Sequence, residues 1–213
     1  MMIDSVNRLE AFSDGVIAII ITLMVFNLPI PTNSELETMS LLDALIKHWQ
    51  DFAAFFVSFF VIGVMWINHH DLFRIIYRAD HIVSLLNVFL LLGITLVPFT
   101  TRLMATHLQT EHNQTAAVIY SSTYLMTAFF FNVLWRYAAY KRRLIGKNVS
   151  DTDIRVVYRN YNIGFLLYFI AFILSFLSAP LNLIINFGLA LFFALPIRSN
   201  WIARTSDYDD KNI

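Results

Sequence analysis

One carboxylate stands out in the nearly unbroken apolar stretch 8–26, RLEAFSDGVIAIIITLMVF: that of Asp14. An ionisable side chain inside a membrane span is costly and marks a functional site by default. A carboxylate at that depth needs hydrogen-bond donors. Trp66, Asn68, His69 and His70 lie at the end of a second apolar segment, Asn87 in a third, and Asn132 and Asn162 in later ones. Their comparable depth predicts a hydrogen-bonded cluster that fixes the first helix against its neighbours, with Asn132 and Asn162 acting as separate interhelical contacts. In the alternative, Ser13 or Asp14 caps a helix N-terminus, although Asp4 and Ser5 already offer an earlier cap.

The adjacent His69 and His70 invite a metal. Neighbouring helix residues point about 100° apart, however, and H-H-D lacks the i, i+4 spacing of a helical zinc pair, so no metal site is expected. His107 and His112 fall in a polar loop. The motifs G-x-S-x-G, H-E-x-x-H and G-x-x-x-x-G-K-[ST] do not occur. With Asp14 the sole acid at clear membrane depth, a paired-carboxylate site is not expected either. The chain has no sign of an enzyme and implies no cofactor.

The helix carrying Asp14 decides what else faces the same way. On one continuous helix Phe12, Val16, Ile19, Leu23 and Phe26 form a stripe, with Thr22 on its flank. Asp14 falls roughly 140° from Ile19. The first helix thus has two faces, an apolar seam and a side bearing a buried acid. Periodicity alone accounts for the seam by ordinary helix packing.

Composition places these helices in a bilayer. Of 213 residues, 58% are hydrophobic and 14% charged, and the mean hydropathy is +0.62; a soluble surface needs nearer ~25% charge. Net charge is zero, which removes any overall basic bias toward nucleic acid, and the lack of cysteine excludes disulfides and thiolate sites. No basic region precedes the first apolar run, so it is read as a retained span and not a signal peptide. Six spans are predicted at about 8–28, 50–70, 81–101, 116–137, 158–178 and 180–198, followed by a solvated tail at 199–213. Residues 32–48 make a polar loop with a short amphipathic piece, and 141–155 a basic connection. The predicted fold is an all-α integral membrane protein forming a single domain over 1–213, without an internal repeat. Six spans put both termini on one side. That side collects all 15 Lys and Arg residues except Lys47 and Arg102, which predicts cytoplasmic termini.

The motif R-x-x-x-F-S-D-G, formed by Arg8, Phe12, Ser13, Asp14 and Gly15, resembles the first-helix signature of the transmembrane-protein-175 family of lysosomal and bacterial potassium channels. WINHHDLF at 66–73 and the pattern running from Asn87 to Pro98 are similar to that family too. The resemblance covers the six-span layout. It implies a pore lined by the first helix of each repeat and narrowed by bulky apolar side chains, in place of a T-V-G-Y-G filter, which is missing here. With one repeat per chain, such a pore needs a homotetramer around a four-fold axis. The family's constriction position matches Ile19, the next levels fall on Leu23 and Phe26, and the threonine tied to potassium preference matches Thr22. Phe26 is bulkier than the leucine the pattern leads one to expect. Implied partners are potassium and other monovalent cations, the lipid bilayer and further copies of the chain, in the plasma membrane of a prokaryote. The alternative is a proton- or cation-coupled secondary transporter using Asp14 and the nearby histidines.

Overall fold

Short capping signals outside the apolar runs set the helix boundaries. The computed structural model describes residues 3–194. They form α1 (Ile3–Leu23), α2 (Asn33–Leu36), α3 (Leu41–Lys47), α4 (Trp49–Ile75), α5 (His81–His107), α6 (Asn113–Ala139), α7 (Asp151–Leu174) and α8 (Ala179–Ala194). Among the described residues five helices are long and apolar enough to cross a membrane, and α8 is a shorter apolar helix. The expected tail at 199–213 and the end of the sixth expected span lie outside the described residues.

Because α1 starts at Ile3, Ser13 and Asp14 lie in its interior and neither caps it. Its α-helical geometry ends at Leu23, and Met24–Asn27 tighten into a 3₁₀ turn. Leu28 is extended (φ −70°, ψ 134°), as steric conflict with the ring of Pro29 requires. A 3₁₀ turn advances about 120° per residue, so Phe26, three residues on, lies over Leu23 and stays on the exposed seam although it is outside the α-helix assumed for it. Asp80 caps α5 by accepting from Val83 N–H at 2.9 Å. Ser150 caps α7 by accepting from Asp153 N–H at 3.1 Å. That cap starts α7 at Asp151, inside the stretch 141–155 expected as a connection. Pro98 lies within α5, where it has no N–H to offer the preceding turn.

α6 is the centre of the bundle: Tyr120, Tyr124, Leu134 and Trp135 are fully buried, packed with Leu90, Ile94 and Met104 of α5 and Ile62, Leu72 and Phe73 of α4. α7 and α8 cover α6 on one side, and α1 lies against α4 and α5 at the edge. Among the residues of this first segment whose side chains are described, only Val6, Ser13, Ile17 and Met24 are buried.

The two ends are tied differently. At the end where α1 begins, the α4–α5 linker meets the α6–α7 connection in a β-bridge between Ile76 and Ile145. Tyr77 N–H donates to the Leu144 carbonyl at 2.8 Å. At the other end, a chain of ionisable groups runs along Arg102–Asp51 (3.2 Å), Asp51–His48 (3.7 Å), His48–Glu35 (3.3 Å) and Glu35–Lys47 (3.2 Å). The Thr32 backbone N–H and then Lys47 pull the Glu35 carboxyl down to about 2.

Candidate functional site

Two matched pairs of residues fasten α1 to α4. Trp66 Nε1–H donates to Asp14 Oδ1 at 2.8 Å, and His70 Nδ1 lies 2.9 Å from Glu10 Oε1. Glu10 and Asp14 are four residues apart on one helix, as are Trp66 and His70 on the other, so each pair presents one face. The pairing order reverses between the helices, which makes the contact an antiparallel ladder. The Trp66 and His70 rings stack with centroids 5.9 Å apart. Asp14 is half-buried and Trp66 is 41% exposed, which corrects the expectation of a buried acid. In a single chain the outermost helix has no neighbour on that flank to cover it.

The buried link is the neighbouring residue, Ser13. Its hydroxyl donates to the Leu9 carbonyl at 2.8 Å and accepts from Asn87 Nδ2 at 2.8 Å. Asn87 Oδ1 then meets His69 Nε2 at 2.8 Å. The proton order follows from the network: with Asn87 donating to Ser13, its carbonyl oxygen needs a donor, so Nε2 of His69 carries the proton. Ser13, His69 and Asn87 are each completely buried. His69 also stacks on Phe73, with centroids 4.5 Å apart. α1 is thus bonded to α5 through Ser13 and to α4 through Asp14 and Glu10.

Asn68 does not belong to this cluster. Its Nδ2 donates to the carbonyls of Val64 (2.8 Å) and Phe193 (3.2 Å), which ties α4 to α8. One position along a helix turns a side chain by about 100°, enough to send Asn68 and His69 to opposite neighbours. His70 goes to Glu10 and His69 to Asn87, so the two histidines share no ligand. Among the described residues no group of three His, Cys, Asp or Glu could hold a metal. Asn132 and Asn162 pair at 2.9 Å and both accept from Arg136, a separate contact between α6 and α7. Sequence reasoning missed Glu10; the signal was its i, i+4 spacing to Asp14, set against the same spacing of Trp66 and His70.

The rest of α1 is bare. Phe12 is 55% exposed, Ile19 58%, Leu23 53% and Phe26 81%, and Arg8, Gly15 and Thr22 share the exposed side. Val16 is half-buried. A Cβ at Gly15 would meet open space, so packing within the chain gives no reason for glycine there. The Thr22 hydroxyl donates to the Ala18 carbonyl at 2.7 Å. Along the second half of the helix runs an open groove of about 460 Å³, lined on α1 by Ile19, Ile20 and Leu23 and opposite by Phe55, Ser58, Thr95 and the Asp51–Arg102 pair. Ser58 Oγ is buried there without a partner among the described residues. The helix is bonded along its first half and only leans on the bundle along its second.

Known proteins share this architecture. A family model described as "Endosomal/lysosomal potassium channel TMEM175" matches residues 8–98. A protein of Chamaesiphon minutus named as a potassium channel is 41% identical over 91% of this chain and 94% of its own length. Another potassium channel, from Streptomyces collinus, is 35% identical over 87% of this chain and 90% of its own. The chicken endosomal/lysosomal proton channel TMEM175 is 34% identical over 65% of this chain but 29% of its own length. The crystal structure of the Chamaesiphon minutus homologue, described as a lysosomal potassium-selective channel TMEM175 homologue, superposes with a TM-score of 0.81. The superposition is at 38% identity and covers 92% of this chain and 100% of that one.

Proposed function

We propose, from the premise that this chain belongs to the TMEM175 family, that it is a potassium-preferring cation channel. In this reading it is a homotetramer in the plasma membrane of a prokaryote, with both termini cytoplasmic. The observation that carries the reading is the uneven treatment of α1: one side is bonded to α4 and α5, while the apolar seam is left uncovered. Four copies that turn this seam to a common axis stack rings of Ile19, Leu23 and Phe26. Such rings hold no polar group to replace an ion's hydration shell, so passage requires widening or partial dehydration, which is how a hydrophobic constriction gates. Thr22, one position from Leu23 on the exposed side, supplies the one hydroxyl that α1 itself carries at these levels and is assigned to potassium preference. Asp14, Ser13, Glu10, Trp66, His69, His70 and Asn87 position the helix and do not touch the ion. Potassium and other monovalent cations pass, and no cofactor takes part.

A coupled transporter would need Asp14 and the histidines free to load and release a cation. Here Asp14 holds Trp66 and His69 holds Asn87, which favours the channel. The test is ion flux through purified protein in lipid vesicles, with the oligomer mass measured on the same sample. Ile19→Ala removes three carbons per subunit, so it should raise flux and weaken discrimination between potassium and sodium. Thr22→Val should weaken potassium preference while assembly stays intact. If folded Ile19→Ala keeps its selectivity, the seam is ordinary packing and the pore lies elsewhere.

A further inference from the structure

The β-bridge between Ile76 and Ile145 brings together two connections that are far apart in sequence. Arg78 N–H reaches the Leu144 carbonyl at 3.3 Å and Gly146 N–H reaches the Ile75 carbonyl at 3.3 Å. Lys141 and Arg142 are both left-handed (φ 52° and 55°), a conformation that side chains rarely adopt and that packing must hold in place. The turn is therefore fixed, not a loose basic loop. Its acids already have partners. Asp80 accepts from Val83 N–H and from the Tyr137 hydroxyl and faces Arg143 at 3.6 Å; Asp151 is bonded to Arg142, and buried Asp153 to Ser150. Arg78, Lys141 and Lys147 are exposed and have no acidic partner among the described residues. Tyr77 and Tyr140 are half exposed beside them, and Lys141 Nζ lies 5.3 Å from the centre of the Tyr140 ring. Cations interleaved with tyrosine at the ends of membrane spans match the charged and interfacial layers of a bilayer.

We infer that this platform of Arg78, Lys141 and Lys147, framed by Tyr77 and Tyr140, binds the phosphate headgroup of an anionic phospholipid from the leaflet on its own side. The site deepens the membrane-channel reading without depending on conduction. Asp80 both supports the platform and caps α5, the helix whose Asn87 holds Ser13, so a lipid seated here bears on the anchoring of α1.

The full-length protein, reconstituted in phosphatidylcholine vesicles with and without phosphatidylglycerol, provides the test. Lipid retained through purification is counted by native mass spectrometry, beside oligomer mass and potassium flux. Phosphatidylglycerol should be retained in preference to phosphatidylcholine. Each of Arg78→Gln, Lys141→Gln and Lys147→Gln should weaken retention roughly fivefold, and the triple variant on the order of 100-fold, at unchanged oligomer mass. Lys47→Gln with Arg102→Gln, at the opposite end, should change nothing. Excess glycerol phosphate should not displace the lipid; if it does, the site takes a soluble phosphate and the lipid assignment falls. Equal retention of both lipids, or a triple variant that binds like the parent, overturns the proposal. Lipid retention is read whether or not the protein conducts, so failure of the channel reading remains distinguishable.

Discussion

The two halves of α1 are held by different physics. The first half is bonded through Glu10, Ser13 and Asp14 to two helices. The second half, from Ile17 to the 3₁₀ turn, makes apolar contacts with its neighbours and borders an open groove of about 460 Å³. Directional bonds fix the rotation of a helix about its axis, whereas apolar contact fixes only that it is covered. The first half therefore fixes how α1 is turned, and the second adds no directional bond to its neighbours. A helix bonded at one end and packed only by apolar contact at the other fits the proposed pore, in which the proposed constriction at Ile19 and Leu23 would widen by small shifts.

The comparison breaks first at Asn87. Asn87→Ala leaves the buried His69 N–H without an acceptor, at roughly 1–3 kcal/mol, and opens a void as well. Thermal unfolding in detergent should show a large loss of stability, with impaired assembly. Asn162→Ala, an equal truncation at an exposed contact between α6 and α7, should cost less than about 1.5 kcal/mol. Equal losses at the two sites would mean that the anchor of α1 is no more than interhelical glue.

Asp14 gives the next largest effect. Asp14→Asn keeps an oxygen for the Trp66 N–H, while Asp14→Ala does not, so the alanine variant should be the less stable by about 1–2 kcal/mol. Size-exclusion profiles should show the proposed tetramer weakened in the alanine variant and retained in the asparagine one. An alanine variant that assembles normally but changes ion preference would move Asp14 into the ion path.

Acid acts on the floor of the anchor. Partial burial works against charge on Asp80, but the Val83 N–H, the Tyr137 hydroxyl and Arg143 outweigh it and hold the carboxyl below its ordinary range. A lowered folded value stabilises above the unfolded value of about 3.9 and is lost as pH falls through the lowered one. Unfolding followed from pH 6 to pH 3 should therefore show a shallower acid loss in Asp80→Asn than in the parent. Identical slopes would remove Asp80 from the support of α5.

The smallest effect probes the loose half. Ser58→Ala deletes a buried hydroxyl that has no partner among the described residues, so stability should rise slightly or stay within about 0.5 kcal/mol. A clear loss instead would show that the hydroxyl is bonded to water and that the groove along α1 is wet.

Sequence alone determined the helical membrane architecture, because twenty-residue apolar runs with sparse charge have no other stable solution in lipid. It placed Phe12, Ile19 and Leu23 on one face of α1 and Asp14 on another, because 3.6 residues per turn sets where each side chain points around its own axis. Periodicity does not extend to the neighbours. Only the tertiary structure decided that Asp14 meets Trp66, that Glu10 meets His70, and that buried Ser13 joins Asn87, because these contacts depend on how α1, α4 and α5 are rotated and shifted against one another. The same packing turned Asn68 away to α8, a single residue from His69. It also ended the α-helix at Leu23, ahead of the extended Leu28 before Pro29, and set Phe26 over Leu23 by a tighter turn than the α-helical pattern had drawn.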